Sequence, residues 1–500
     1  MHLLLHRYLL PAASILLLAA RSFAGDGPFE GAMPVPADFE QGFATITEEE
    51  SRKILSTLVE GDMQGRGTGQ EGYNKAAVWV SQQLQANGFQ PAGENGTWFQ
   101  NMPFIRMNTL PDQCSIKIGD QLCVSGKDIG ISTWNGQYSQ KLKIVLAKLG
   151  ESKPEITDGQ FAGCLLVVRG RRRFAADDEW ILKGKPTAVL LVGEGGQVRN
   201  EAVNQTEQQP SAFPVASVVR EAANRLAAAC SKEAFFPEAD PTESELLAVD
   251  ASLQADCKLG IERDPIDVPN VIGWYPGSDE SVRHEHVCIG AHLDHLGVQR
   301  EELYPGADDN GSGSAAIIQV AKAIHANPVK PRRSVLFIAF CAEERGLLGS
   351  RHYARNPTKP IDDMICMLNI DMIGRDEELP NEPAEKNRNT IHLVGSQLES
   401  TGFHQLVLDM NRHVGFIFEY DEEKTVAYRS DQASFAEKGV PVSFLFGGFN
   451  PFYHKTTDTM EGINFSKIAN AARLNYLVLH RAAEHGRFNK DIKAAGEAKK

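Results

Sequence analysis

VCIGAHLDHLG, residues 287–297, carries the pattern from which the fold is read: an unbroken apolar run that ends on His292, with Asp294 two residues on. The shape recurs twice. VLFIAFCAEE (335–344) ends in Glu343 and Glu344, and MICMLNID (364–371) ends in Asp371. Continuous apolar runs of this length, alternating with helical stretches, read as strands of a parallel sheet covered on both faces. The expected class is therefore α/β, with a mixed, mostly parallel central sheet flanked by helices. Ligands of such sheets sit beyond the carboxyl ends of the strands. One polar strand end is unremarkable, but three in succession ending in His, Glu and Asp are hard to obtain from packing, because carboxylates are seldom buried unpaired.

Two further stretches add donors: Asp308 in PGADDNGSG (305–313), and His454 in HKTTDT (454–459). Imidazole nitrogen and carboxylate oxygen without thiolate suit Zn²⁺, with Co²⁺ or Mn²⁺ as substitutes. Five donors shared by two zinc ions leave room for a water, and such a pair activates that water and polarises the carbonyl it attacks. In the division expected here, His292 and Asp371 hold one metal, Glu344 and His454 the other, and Asp308 bridges. Glu343 is left over as the general base. Asp294 fits a carboxylate that orients the His292 imidazole, and His295 reads as a structural or supporting histidine outside the ligand set.

The rest of the chain supplies context. Its 500 residues, 42% hydrophobic and 23% charged, suit two or three globular domains, and a formal charge of −14 argues against a nucleic-acid partner. Residues 1–24 read as a signal peptide, with an apolar stretch too short to span a bilayer and small residues before a cleavage point after Ala24. That places the protein outside the cytoplasm, in a periplasm or secreted, and no transmembrane span is expected. Residues 25–129 read as the first part of the catalytic domain, with a Thr47 capping box opening one helix and a second over 73–86. Residues 130–249 read as an inserted, non-catalytic β-rich domain with a basic turn, RGRRRF (169–174), taken as solvated. Residues 250–488 carry the chemistry, and 489–500 form a polar tail. Eight cysteines include Cys114 and Cys123, which flank a hairpin and are expected to bridge it, while Cys288, Cys341 and Cys366 read as packed thiols.

The five metal-bearing stretches, GAHLDHLG (290–297), PGADDNGSG, FCAEERGLLGS (340–350), NIDMIG (369–374) and HKTTDT, resemble the M28 family of zinc peptidases in order and spacing. The resemblance implies a zinc-aminopeptidase-like fold, two zinc ions, and peptide or protein substrates. It implies that the first Asp of the Asp-Asp pair bridges the metals at a cis peptide, which assigns that role to Asp308, and it divides base and ligand between Glu343 and Glu344. FAGCLLVVRG (161–170) is similar to a protease-associated domain, which many M28 enzymes carry at this position. Where the family commonly has Ser-Asp-His, this chain has Ser430, Asp431 and Gln432; Tyr428 lies near where some members place an oxyanion-stabilising tyrosine, one residue out of register. Phe449, Phe452 and Tyr453 are expected to line an apolar specificity pocket. The leading expectation is a metallo-aminopeptidase. A carboxypeptidase or dipeptidase on the same scaffold, a glutaminyl cyclase and a non-catalytic binding protein are the alternatives.

Overall fold

The structure is a computed structural model that describes residues 27–491 except 131–135, 172–174, 176, 194–200, 206–210, 212, 300, 379–381 and 421–428. The expected leader, Tyr428 and most of the polar tail lie outside the described residues. Helix α1, Glu48–Val59, begins where Thr47 Oγ1 accepts the Glu50 amide at 3.1 Å, as the capping pattern requires. Helix α2 is Glu71–Ala86 and strand β1 is Phe99–Thr109. A smaller sheet follows with β2 (Gly136–Lys148), β3 (Cys164–Arg169), β4 (Ala188–Gly193) and β5 (Val215–Val219), then helix α3 (Arg220–Ala229). The 21-residue strand β6, Ala255–Tyr275, returns the chain to the main body.

From there the main body is built from strands and helices in succession. They are β7 (His286–His292), α4 (Gly313–Ala326), β8 (Ser334–Phe340), α5 (Leu348–Arg355), β9 (Met364–Asp371), β10 (Thr390–Val394), α6 (Thr401–Asn411), β11 (Ile417–Glu419), β12 (Val442–Phe446) and α7 (Phe465–His485). The main sheet runs β1, β6, β8, β7, β9, β12, β10, β11, and its central strands β8, β7, β9 and β12 are parallel. The apolar runs are continuous because both faces are covered. On β8, Val335, Phe337 and Ala339 face the core built with α1, α4 and α7, while Leu336, Ile338 and Phe340 face a second core with Tyr353 and Phe435.

Register then fixes the site. His292 pairs with Phe340, and Gly290 with Asn369, so the ends of β7, β8 and β9 lie level and His292 stands opposite Asp371.

The smaller sheet pairs β2, β3, β4 and β5 in parallel and has its own core. That core reaches past residues 130–249, because Ile116, Cys123, Cys257 and Leu259 pack into it and β6 pairs with β2 as well as β1 and β8. Arg169 is not in a solvated turn: it is 1% exposed and donates to the Glu238 carbonyl at 2.7 Å. The expected Cys114–Cys123 bridge does not form. The hairpin is present, but Cys123 faces Ile116 while Cys114 lies one residue beyond the strand, and all eight cysteines are free. Burial pushes the Cys288 and Cys341 thiols well up and Cys366 up as well, which keeps them protonated packing groups. No helix of the described residues is long and apolar enough to cross a membrane.

Candidate metal centre

The level strand ends bring seven side chains together. His292 Nε2 lies 3.2 Å from Asp371 Oδ1, 3.5 Å from Asp309 Oδ1 and 4.0 Å from Glu343 Oε2. On the other side of Asp309, His454 Nε2 is 3.1 Å from Asp309 Oδ2 and 3.1 Å from Glu344 Oε2. His295 Nδ1 joins this second set at 2.7 Å from Glu344 Oε1 and 3.7 Å from Asp309 Oδ2. Zinc with N and O donors at about 2.0–2.2 Å in a tetrahedron sets its donors about 3.3 Å apart. The separations around both positions scatter about that value.

Electrostatics agree with the geometry. Asp309, Glu343, Glu344 and Asp371 place four carboxylates in a buried cluster, a charge that two divalent cations offset. Burial opposes protonation of His454, yet its hydrogen bonds to Asp309 and Glu344 hold its pKa up at about 10. His292 is likewise held well up against burial by Asp371, Glu343 and Asp309. Burial pushes Glu343 well up. The residues present therefore fit two zinc ions.

Asp309, not Asp308, stands between the two sets. The second Asp of the pair meets His292, His295 and His454, and the first does not; a cis peptide joins Asp309 to Asn310. Asp308 Oδ1 accepts the Gly374 amide at 2.6 Å and Oδ2 accepts Asn450 Nδ2 at 2.9 Å, which ties together two loops beneath the site. Burial beside Asp458 raises the Asp308 carboxyl to about 7. Asp458 in turn accepts the amides of Asp308 and Asp309 at 3.0 and 3.1 Å and pairs with buried Arg375 at 3.2 Å. Neither Asp458 nor Arg375 emerged from sequence reasoning, although Asp458 lies within HKTTDT.

Asp294 acts differently from expectation. Its carboxylate is 4.0 Å from His292 Nδ1, and it is the Asp294 carbonyl that accepts that N–H at 3.0 Å, leaving Nε2 free as a donor atom. The carboxylate instead accepts the Glu343 amide at 3.0 Å and the Thr68 hydroxyl at 2.7 Å, which fixes the turn carrying Glu343 and Glu344. Ser430 Oγ donates to Asp371 Oδ2 at 2.8 Å, and Gln432 accepts from Asn369, so the departure at 430–432 still ties that segment to β9.

A cleft opens above the cluster between Glu343, Asp371, Met372, Arg429, Phe446 and Phe449. Phe449 and Tyr453 line it as expected; Phe452 does not, and packs under the Arg375 guanidinium at 4.2 Å. Tyr453 stacks on His454 with ring centres 3.8 Å apart.

A mostly parallel sheet with a paired imidazole–carboxylate centre at its strand ends defines a zinc-aminopeptidase-like α/β domain. Residues 270–479 match the model of peptidase family M28. The probable leucine aminopeptidase of Trichophyton verrucosum (strain HKI 0517) is 28% identical over 215 residues, 41% of this chain and 55% of that protein. Aminopeptidase YwaD of Bacillus subtilis (strain 168) is 28% identical over 239 residues, 46% of this chain and 48% of its own. The match thus spans about half the length of these relatives. Among solved structures, the aminopeptidase from Aneurinibacillus sp. strain AM-1 superposes with a TM-score of 0.55 at 20% identity, over 92% of this chain and 99% of that one. BSAP, a zinc aminopeptidase from Bacillus subtilis, gives 0.56 at 18%, over 89% and 98%. These two likenesses establish the fold.

Proposed function

We propose that the protein is an exported metallo-aminopeptidase that uses two zinc ions to hydrolyse the first peptide bond of peptides with an apolar N-terminal side chain. The observation that carries the reading is the Asp309 carboxylate, with one oxygen toward His292 and the other toward His454. His292, Asp371 and Asp309 would hold one ion, and Glu344, His454 and Asp309 the other. The ions, when bound, supply Lewis acidity toward the scissile carbonyl and lower the pKa of the attacking water.

The chain's own residues account for the rest. Glu343, in the wall of the cleft, takes the proton from the attacking water at a carboxylate oxygen and delivers it to the departing amine nitrogen. Its backbone is held by Asp294, so its carboxylate is presented from a fixed turn. The apolar wall of Met372, Phe444, Phe446 and Phe449 receives the side chain of the N-terminal residue and excludes water from it. The smaller sheet, similar in sequence to a protease-associated domain, shapes substrate access and takes no part in the chemistry.

Arg429 also lines the cleft, over the Phe449 ring at 4.7 Å, and favours a second reading in which a substrate carboxylate is recognised, as a carboxypeptidase or dipeptidase requires. Digestion of one peptide blocked at its amino end and the same peptide blocked at its carboxyl end separates the two. The aminopeptidase reading requires that only the amino-terminal block abolish release of the first residue. Cleavage lost on the carboxyl-terminal block instead would overturn it.

A further inference from the structure

We infer that Asp458 is a positioning residue for the metal position between Asp309, Glu344 and His454: it fixes the backbone of Asp309 against the turn that carries His454, so that both donors reach one ion. The inference rests on the two-zinc reading and adds a residue outside the donor cluster. Its first support is the set of bonds that converge on one residue. Asp458 is 1% exposed, and its Oδ2 accepts the amides of Asp308 and Asp309 at 3.0 and 3.1 Å. Its carbonyl accepts a third successive amide, that of Ala307, at 3.0 Å. Amides that open a helical turn have no partner within it, and Asp458 supplies one to each of these three.

The second support is how Asp458 itself is held. Its Oδ1 faces Arg375 Nε at 3.2 Å, and the same buried guanidinium donates to the carbonyls of Thr459 and Glu461 at 2.8 and 2.9 Å. The Asp458 amide donates to the Lys455 carbonyl at 3.1 Å, which closes a turn that starts one residue after His454. The carboxylate is therefore fixed relative to His454 on one side and to Asp309 on the other.

A division of labour is the third support. The residue after Asp309 is Asn310, whose Nδ2 donates to the Ile370 carbonyl at 2.8 Å and whose Oδ1 accepts the Met372 amide at 3.3 Å. Those two residues flank Asp371, so Asn310 relates Asp309 to Asp371, while Asp458 relates it to His454. Each metal position thus has its own tie to the shared carboxylate. An amide cannot replace the Asp458 carboxylate, because Asn has one acceptor oxygen and its NH2 would face either two backbone N–H groups or the Arg375 guanidinium. Asp458→Asn keeps the shape of the side chain and breaks the tie.

The test uses the full chain and zinc itself. In chelator-buffered equilibrium dialysis the wild type should bind two zinc ions, and Asp458→Asn should weaken one of them about 10- to 100-fold while the other keeps its wild-type affinity. Cobalt identifies which: the absorption spectrum of Asp458→Asn loaded with a single cobalt ion should coincide with that of His454→Ala and differ from that of His292→Ala. A general loss of structure would weaken both ions together and would overturn the proposal, as would two unchanged affinities or a spectrum matching His292→Ala. If Asp458→Asn does not fold, Asp458→Glu, which keeps the charge and moves it by one methylene, is read in the same way. Each of these failures leaves the two-zinc reading intact, whereas a wild type that binds no zinc would overturn both.

Discussion

Two parallel sheets stand side by side in this chain, and only one carries a reactive centre. Strands β7, β8 and β9 of the main sheet and β2, β3, β4 and β5 of the smaller one pair in the same parallel sense. The main strands run out into His292, Glu343, Glu344 and Asp371. The smaller ones end on Lys148, Arg169, Gly193 and Val219, none of which can complete a zinc site. Parallel pairing provides a row of level strand ends; the side chain on the last residue decides whether the row becomes a site.

That contrast can be broken most forcefully at Glu343. Glu343→Gln should keep both zinc ions while the rate of peptide hydrolysis falls by about 10² to 10⁴. Zinc loss in step with activity, measured by metal analysis of the purified variant, would make Glu343 a ligand instead. Next in size is Asp294→Asn, which disturbs the turn that carries Glu343 and Glu344. Zinc affinity should drop about 10- to 100-fold, and an affinity equal to wild type would show that the Asp294 carboxylate does nothing for the metals.

In the smaller sheet the same kind of change should act on stability alone. Arg169→Ala removes the buried donor to the Glu238 carbonyl and should cost about 1–3 kcal/mol in denaturant unfolding. Its kcat should equal that of wild type, and a fall in kcat would mean that the smaller sheet reaches the chemistry.

The effect that vanishes at neutral pH concerns His480. Burial holds the neutral form of His480, on α7, and lowers its pKa from 6.5 to about 3. The unfolded chain takes up a proton below about pH 6.5 that the folded chain refuses until about pH 3, so stability falls as pH drops through that window. His480→Leu should remove about one proton from the uptake on unfolding, read from the pH dependence of denaturant midpoints. An unchanged acid slope would exclude His480 as a contributor.

Much of this was legible in the sequence because strands covered on both faces announce themselves as continuous apolar runs, and because register levels their ends. That is how His292, Glu343, Glu344 and Asp371 could be placed together before any coordinates. What the sequence hid was direction. Asp308 and Asp309 are adjacent and chemically identical, and only their contacts in the folded chain show which carboxylate turns toward the histidines. The part played by Asp294 was hidden for the same reason: its carbonyl, rather than its carboxylate, meets His292. His295 had a visible signal, a second histidine in GAHLDHLG, but whether it faces the cluster depends on packing against Gly306 and Arg66 from distant parts of the chain. The Cys114–Cys123 expectation failed on register, since Cys123 stands opposite Ile116, two residues beyond Cys114.

The central claim is that Asp309 joins two metal positions while its neighbour only supports the loops beneath them. Zinc content of Asp309→Asn and Asp308→Asn, measured side by side after dialysis against the same buffered zinc, tests it most directly. Asp309→Asn should lose both ions and Asp308→Asn should keep both. Two ions retained in Asp309→Asn, or both lost only in Asp308→Asn, would contradict the account.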